Sequence, residues 1–224
     1  MAASNVAISI PELKIEHYRL YLIGTAPLIV HAFHEKARKE MLDKQMKKGK
    51  RAKGSRDPGA EVIAARYILP DGRDGFPSIA FKTAAVTACT SLADVTKVAA
   101  RQAFRVEGIA MNNVGLIEGS FVRTALVPLV VGPPTIREDI CRLSGIGRTP
   151  EVRYRPEYWP WGVEISVLVN AGVMSGAQIA TMFSAAGHGV GVGEYRPERN
   201  GECGTFEVAG GQDDFDAWRA ECGL

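Results

Sequence analysis

The sequence lacks the cysteine and histidine spacings that build metal or redox centres. Its four cysteines, Cys89, Cys141, Cys203 and Cys222, lie far apart, with no CxxC pair among them. That excludes a zinc-finger frame and a thioredoxin-like motif, and it predicts free thiols in a reducing cytoplasm. No apolar run approaches the length that spans a bilayer. The first residues, MAASNVAISIPELKIEH, have no basic start followed by a long apolar stretch. Neither membrane insertion nor export is expected, so the predicted location is cytoplasmic. An excess of one charge is missing too: 27 Lys and Arg stand against 25 Asp and Glu, for a net of +2. Net charge therefore names no partner, and only its distribution can do so.

What is present suits one α+β domain over residues 1–224, with 46% hydrophobic residues to form its core. Residues 17–31, HYRLYLIGTAPLIVH, predict a strand that bends near Gly24 and Pro27. Residues 34–58 then turn basic and pass into Gly, Lys and Ser, a composition that cannot bury a core. This segment, with Lys47, Lys48, Lys50 and Arg51, is expected to be a mobile insertion. ARYILPDGRDGFPSIAF reads as a hairpin turning at PDGRDG. Residues 80–97 predict a helix whose stripe of Ala84, Ala85, Ala88, Cys89 and Leu92 packs closely on a sheet. Strand-like pieces follow, the clearest being residues 163–169, where Val163, Ile165, Val167 and Val169 alternate with Glu164, Ser166 and Leu168. A second helix opens at Ser175 and is expected to stop at Gly187; CGTFEVA reads as a last strand and DDFDAWRAEC as a closing helix. The order is βαββαβ, the ferredoxin-like or RNA-recognition arrangement, with a basic insertion after the first strand.

One stretch, GHGVGVGEYRPERNGECGTFEV, places glycines at 187, 189, 191 and 193 ahead of Tyr195, Arg196 and Arg199. A dinucleotide fingerprint runs from strand into helix; here a helix leads in and a strand leads out, and no Walker lysine follows. Nucleotide-cofactor chemistry is thereby disfavoured, and no cofactor or metal is expected. Two readings remain: a tight turn that needs positive φ, or a backbone surface at Gly189, Gly191 and Gly193 against which a phosphodiester can lie.

The segment VRYRPEYWPW interleaves Tyr154, Tyr158, Trp159 and Trp161 with Arg153 and Arg155. Rings and guanidiniums in alternation suit unstacked bases and phosphates, and they suit a subunit interface or core edge equally. His31, His34 and His188 have the pKa range for general acid–base work, but loop histidines can equally do no more than solvate. His31, His34 and Glu35 lack a third placed metal ligand. Glu138 and Asp139 are flanked by Arg137 and Arg142, which favours mutual charge compensation.

PLIVHAF at the end of the first strand, DGFPSIAFKTAAVTAC leading into the first helix and the glycine loop after the second helix together resemble the RAMP superfamily of CRISPR effector proteins. The family's Ser-Ser-Leu-Lys-Gly stands here as Ser78-Ile79-Ala80-Phe81-Lys82-Thr83. The likeness is strongest to the backbone subunits that polymerise along a guide RNA, and the ending GEYRP also resembles uncharacterised prophage-borne proteins. The resemblance implies an RNA-recognition-type fold and a homo-oligomer that coats single-stranded RNA or DNA without sequence preference. Lys82, Arg196, Arg199, the glycine loop and the basic insertion would make the contacts. It also implies two rivals: a metal-independent ribonuclease using one of the histidines, and a phage structural or assembly protein.

Overall fold

A computed structural model of the chain describes residues 13–32, 39, 41–43, 45–46, 56–92, 95–109, 124–142 and 150–224. Its architecture is mixed α+β, with antiparallel sheets. The described residues form nine strands: β1 (Ile15–Gly24), β2 (Leu28–Ile29), β3 (Gly75–Pro77), β4 (Phe104–Val106), β5 (Leu126–Val131), β6 (Thr135–Arg142), β7 (Pro150–Tyr158), β8 (Trp161–Asn170) and β9 (Phe206–Val208). The helices that matter here are α1 (Pro58–Ala64), α2 (Ser78–Ala88), α3 (Lys97–Ala103), α4 (Gly176–Gly189) and α5 (Gln212–Cys222). A six-stranded sheet runs β3-β5-β8-β1-β9, with β4 also pairing β8. A three-stranded sheet runs β2-β7-β6. The chain passes between them four times, from β1 into β2, from β2 into β3, from β5 into β6 and from β7 into β8.

β8 is the spine of the larger sheet. β1 pairs along it from Ile15–Asn170 to Ile23–Gly162, while β4 and β5 share its other edge. Val163, Ile165, Val167 and Val169 are fully buried, as their alternation predicts. They face α2 and α4, which supply Phe81, Ala84, Ala85 and Ala88 on one side and Ile179, Met182, Phe183 and Ala186 on the other. The small side chains of α2 let the two helices sit close on the sheet. On the opposite face α5 lays Phe215 and Trp218 over Gly162, where a Cβ would stand 2.5 Å from the Trp218 ring. Among the described residues, no helix is long and apolar enough to cross a membrane.

Several boundaries differ from the sequence reading. The helix expected over 80–97 starts at Ser78 and ends at Ala88; after a 3₁₀ turn a new helix, α3, begins behind Thr96. The Thr96 hydroxyl accepts from the Ala99 amide at 3.2 Å, so the polar residues before it form a break and a cap. Asp57, assigned to the insertion, caps α1 by accepting from Gly59 and Ala60. The hairpin about PDGRDG shrinks to a single bridge, Ile68–Asp74, beyond β3. A buried carboxylate holds that turn: Arg66 forks onto Asp74 at 2.8 and 2.7 Å, and the Tyr158 hydroxyl donates to it at 2.6 Å. Asp74 thus ties the lead-in of α2 to the smaller sheet.

Candidate nucleic-acid interface

The glycine loop begins inside a helix, not after one. α4 runs through Gly187 to Gly189, and a Cβ at Gly187 would overlap the carbonyl oxygen of Phe206 on β9. The bare backbone lets the helix end press directly on the sheet edge, which no larger residue permits. The chain then turns at Gly191 (φ +68°) and Gly193 (φ +78°). A Cβ on Gly193 would stand 2.6 Å from the Ile29 carbonyl, and one on Gly191 would stand 2.9 Å from Pro197. Gly189 alone faces open space.

Four of the loop amides are committed to the chain itself. Val190 and Gly191 donate to the Ala186 carbonyl at 3.0 and 2.8 Å, Val192 to Gly204 at 2.9 Å, and Glu194 to Ile29 at 3.0 Å. A phosphate at this loop would therefore meet its rim and side chains, not a nest of free N–H groups.

Beside the loop lies a cleft of about 250 Å³. Its floor is the small-residue face of α2, with Ala80, Thr83 and Thr87, and its rim carries Gly191, Gly193, Glu194 and Arg196. His31 and Tyr67 complete the wall, the Tyr67 hydroxyl donating to the His31 carbonyl at 3.5 Å. The crowding of the surrounding protein, then the positive charges of Arg155 and Arg153, hold His31 below the usual histidine range against the opposing pull of Glu194.

The residues singled out by sequence are not all brought together. Arg196 sits at the rim, but its guanidinium forks onto Glu198 at 3.0 and 2.7 Å and donates to the Gly193 carbonyl at 2.9 Å. Arg199 is exposed on the adjoining 3₁₀ turn. Lys82 points elsewhere: its ammonium donates to the Arg101 carbonyl at 3.0 Å and lies 5.7 Å from the centre of the Phe104 ring. Burial, with Arg105 nearby, lowers its pKa. Lys47, Lys48, Lys50, Arg51 and His34 lie outside the described residues. His188 is remote from His31, in a separate cavity with Thr25, Ser184 and Thr205.

The aromatic segment divides. Tyr158 and Trp161 are core residues, 2% and 0% exposed, so they offer no face to a base. Trp161 donates to the Ala26 carbonyl at 2.7 Å and fills the space above Gly24. Trp159 is exposed, and Tyr154 lies beneath the Arg56 guanidinium at 5.6 Å. Arg153 pairs with Glu151 at 3.3 Å, and Arg155 is buried. Tyr67 escaped the sequence reading, since nothing marks it in the chain except the turn that follows. Among the described residues no three His, Cys, Asp or Glu side chains cluster as a metal site would need.

No family model matches this chain, and no curated protein matches its sequence. Among solved structures it is similar to the crystal structure of Cmr6 from Pyrococcus furiosus, at 12% identity over 88% of this chain and 100% of that one, with a TM-score of 0.37. A likeness that slight leaves the function to the site's own chemistry.

Proposed function

We propose that the protein binds single-stranded nucleic acid without sequence preference, the strand lying in the cleft between α2 and the glycine loop, and that repeated subunits coat it. The observation that carries this reading is the cleft's construction. Its floor is small side chains and hydroxyls, its flank is loop backbone, two ring side chains stand at its wall, Arg196 stands at its rim paired with Glu198, and Arg199 is exposed on the adjoining turn. A nucleic-acid strand needs such an open path of mixed polar and apolar lining more than a deep apolar pocket. The strand order supports the RNA-recognition-type reading. With β1, the β4–β5 edge, β8 and β9 taken as the four core strands and α2 and α4 as the two helices, the order is 4-1-3-2, antiparallel throughout.

The test is fluorescence anisotropy with labelled RNA and DNA oligonucleotides at two salt concentrations. Thr83→Trp, at an exposed position on the cleft floor, should abolish binding with unfolding temperature unchanged. Arg199→Ala should weaken all sequences alike and flatten the salt dependence by roughly one phosphate contact. Unaltered affinity in Thr83→Trp would remove the cleft from the reading. Strand cleavage that disappears in His31→Ala would favour a ribonuclease instead.

A further inference from the structure

One charged group in the molecule is poorly satisfied where it stands. Arg155 is 3% exposed, and its Nε has no hydrogen-bond partner among the described residues. Its other contacts are weak or shared. Nη1 donates to Asp139 at 3.2 Å, a carboxylate that Arg137 already holds at 3.0 and 3.2 Å; Nη2 reaches the Cys141 sulfur at 3.5 Å, and the Tyr195 hydroxyl is the other side-chain partner of the guanidinium. A buried guanidinium normally finds stronger acceptors for its five donors.

The side chain that follows the glycine loop lies over Arg155. The Tyr195 ring lies 5.5 Å from the Arg155 guanidinium and 5.6 Å from that of Arg137, and its hydroxyl meets Cys141 at 3.5 Å. Tyr195 is a bulky residue at φ +52°, an unfavourable backbone region, and 37% of it remains exposed. Its backbone is pinned, the carbonyl accepting from the Cys203 amide at 2.9 Å. A turn of the side chain alone would uncover the arginine. The place adjoins the cleft: β2 pairs with β7, and Val30 donates to the Pro156 carbonyl at 3.1 Å, which brings His31 opposite Arg155.

The geometry points to a latent phosphate site at Arg155, plugged by Tyr195 and opened when a strand arrives. On opening, Asp139 stays neutralised by Arg137, while Arg155 turns its unpartnered Nε and an Nη to a phosphate oxygen pair as a fork. The freed Tyr195 ring becomes available to stack on a base. This rests on the strand-binding reading, and its test separates the two.

Wild type, Tyr195→Ala and Tyr195→Phe are titrated with sodium pyrophosphate and, separately, with an oligonucleotide across a salt series. Tyr195→Ala should bind pyrophosphate about tenfold more tightly than wild type, because the plug is gone. Tyr195→Phe, which keeps the ring, should stay near wild type. The salt slope for the oligonucleotide should be the same in wild type and Tyr195→Ala, since both place Arg155 on the strand. The gain should vanish in Tyr195→Ala/Arg155→Gln. Should that variant unfold, the arginine Nε–H resonances of Tyr195→Ala decide, one of which should shift with pyrophosphate. Equal pyrophosphate affinity in wild type and Tyr195→Ala, with no Nε–H resonance moving, overturns the site. A pyrophosphate gain without oligonucleotide binding by any variant keeps the anion site and removes the strand reading.

Discussion

The two sheets of this protein are held together by different physics. In the larger sheet, β8 buries one whole face of branched side chains beneath α2 and α4, and α5 closes over Gly162. The smaller sheet places Arg137, Asp139, Glu151, Arg153, Arg155 and Glu157 on one face, each in an ion pair, and leaves Ile136 and Ile140 exposed on the other. Apolar burial is non-directional and tolerates little change in volume, whereas a charged face depends on a few directional contacts that can be exchanged for a ligand's. The glycine loop bridges the two: at its start Gly187 presses on Phe206 of the larger sheet, while the Glu194 amide donates to Ile29 of the smaller sheet and Tyr195 rests on that sheet's charged face. The scaffold is therefore in one sheet and the exchangeable contacts in the other.

The sharpest way to break this contrast is Gly187→Val. The added side chain would collide with the Phe206 carbonyl where α4 meets β9, so a loss of about 4 kcal/mol or more, or failure to fold, is expected in a urea titration. Wild-type stability in that variant would mean the larger sheet yields as readily as the smaller. Next comes Asp74→Ala, which strips Arg66 and Tyr158 of their shared acceptor. A cost of about 3 kcal/mol is expected, measured the same way, and a much smaller one would show the two sheets to be loosely coupled. Ile140→Thr, by contrast, changes a side chain that is 72% exposed and should stay within about 0.5 kcal/mol of wild type. A large loss there would mean the outer face of the smaller sheet is not free.

The smallest expected effect concerns His31. Its folded pKa is lowered, so between that value and about 6.5 the unfolded chain binds more protons than the folded one. Its contribution to stability is complete above about pH 6.5 and is lost as the pH falls through the folded value. Urea midpoints at pH 7 and pH 5 should therefore drop further for wild type than for His31→Asn. An identical drop in both would show that His31 is not held neutral by its surroundings.

Much of the α+β architecture was legible in the chain because it follows from local rules. The alternation in residues 163–169 marked the buried face of β8, Ser175 marked the start of α4, and the alanine stripe of α2 marked its sheet-facing side. The short helices escaped. α1 has seven residues and buries only Val62, and α3 hides behind a polar break, so neither gives a periodic signal long enough to read. The site was harder. Tyr158 and Trp161 look like their exposed neighbour Trp159 in sequence, yet the strands that carry them turn them into the core.

By itself the sequence determined periodicity, capping and the need for glycine near residue 190, since these depend on a residue and its near neighbours. Only tertiary structure decided what each glycine is for and which arginine is accessible. Gly187 answers to Phe206 and Gly193 to Ile29, partners that chain distance does not announce. Arg153 and Arg155 are two residues apart on one strand and share a face, but Tyr195 covers only the second. Burial is a property of what the rest of the chain brings to a position, and no local pattern carries that information.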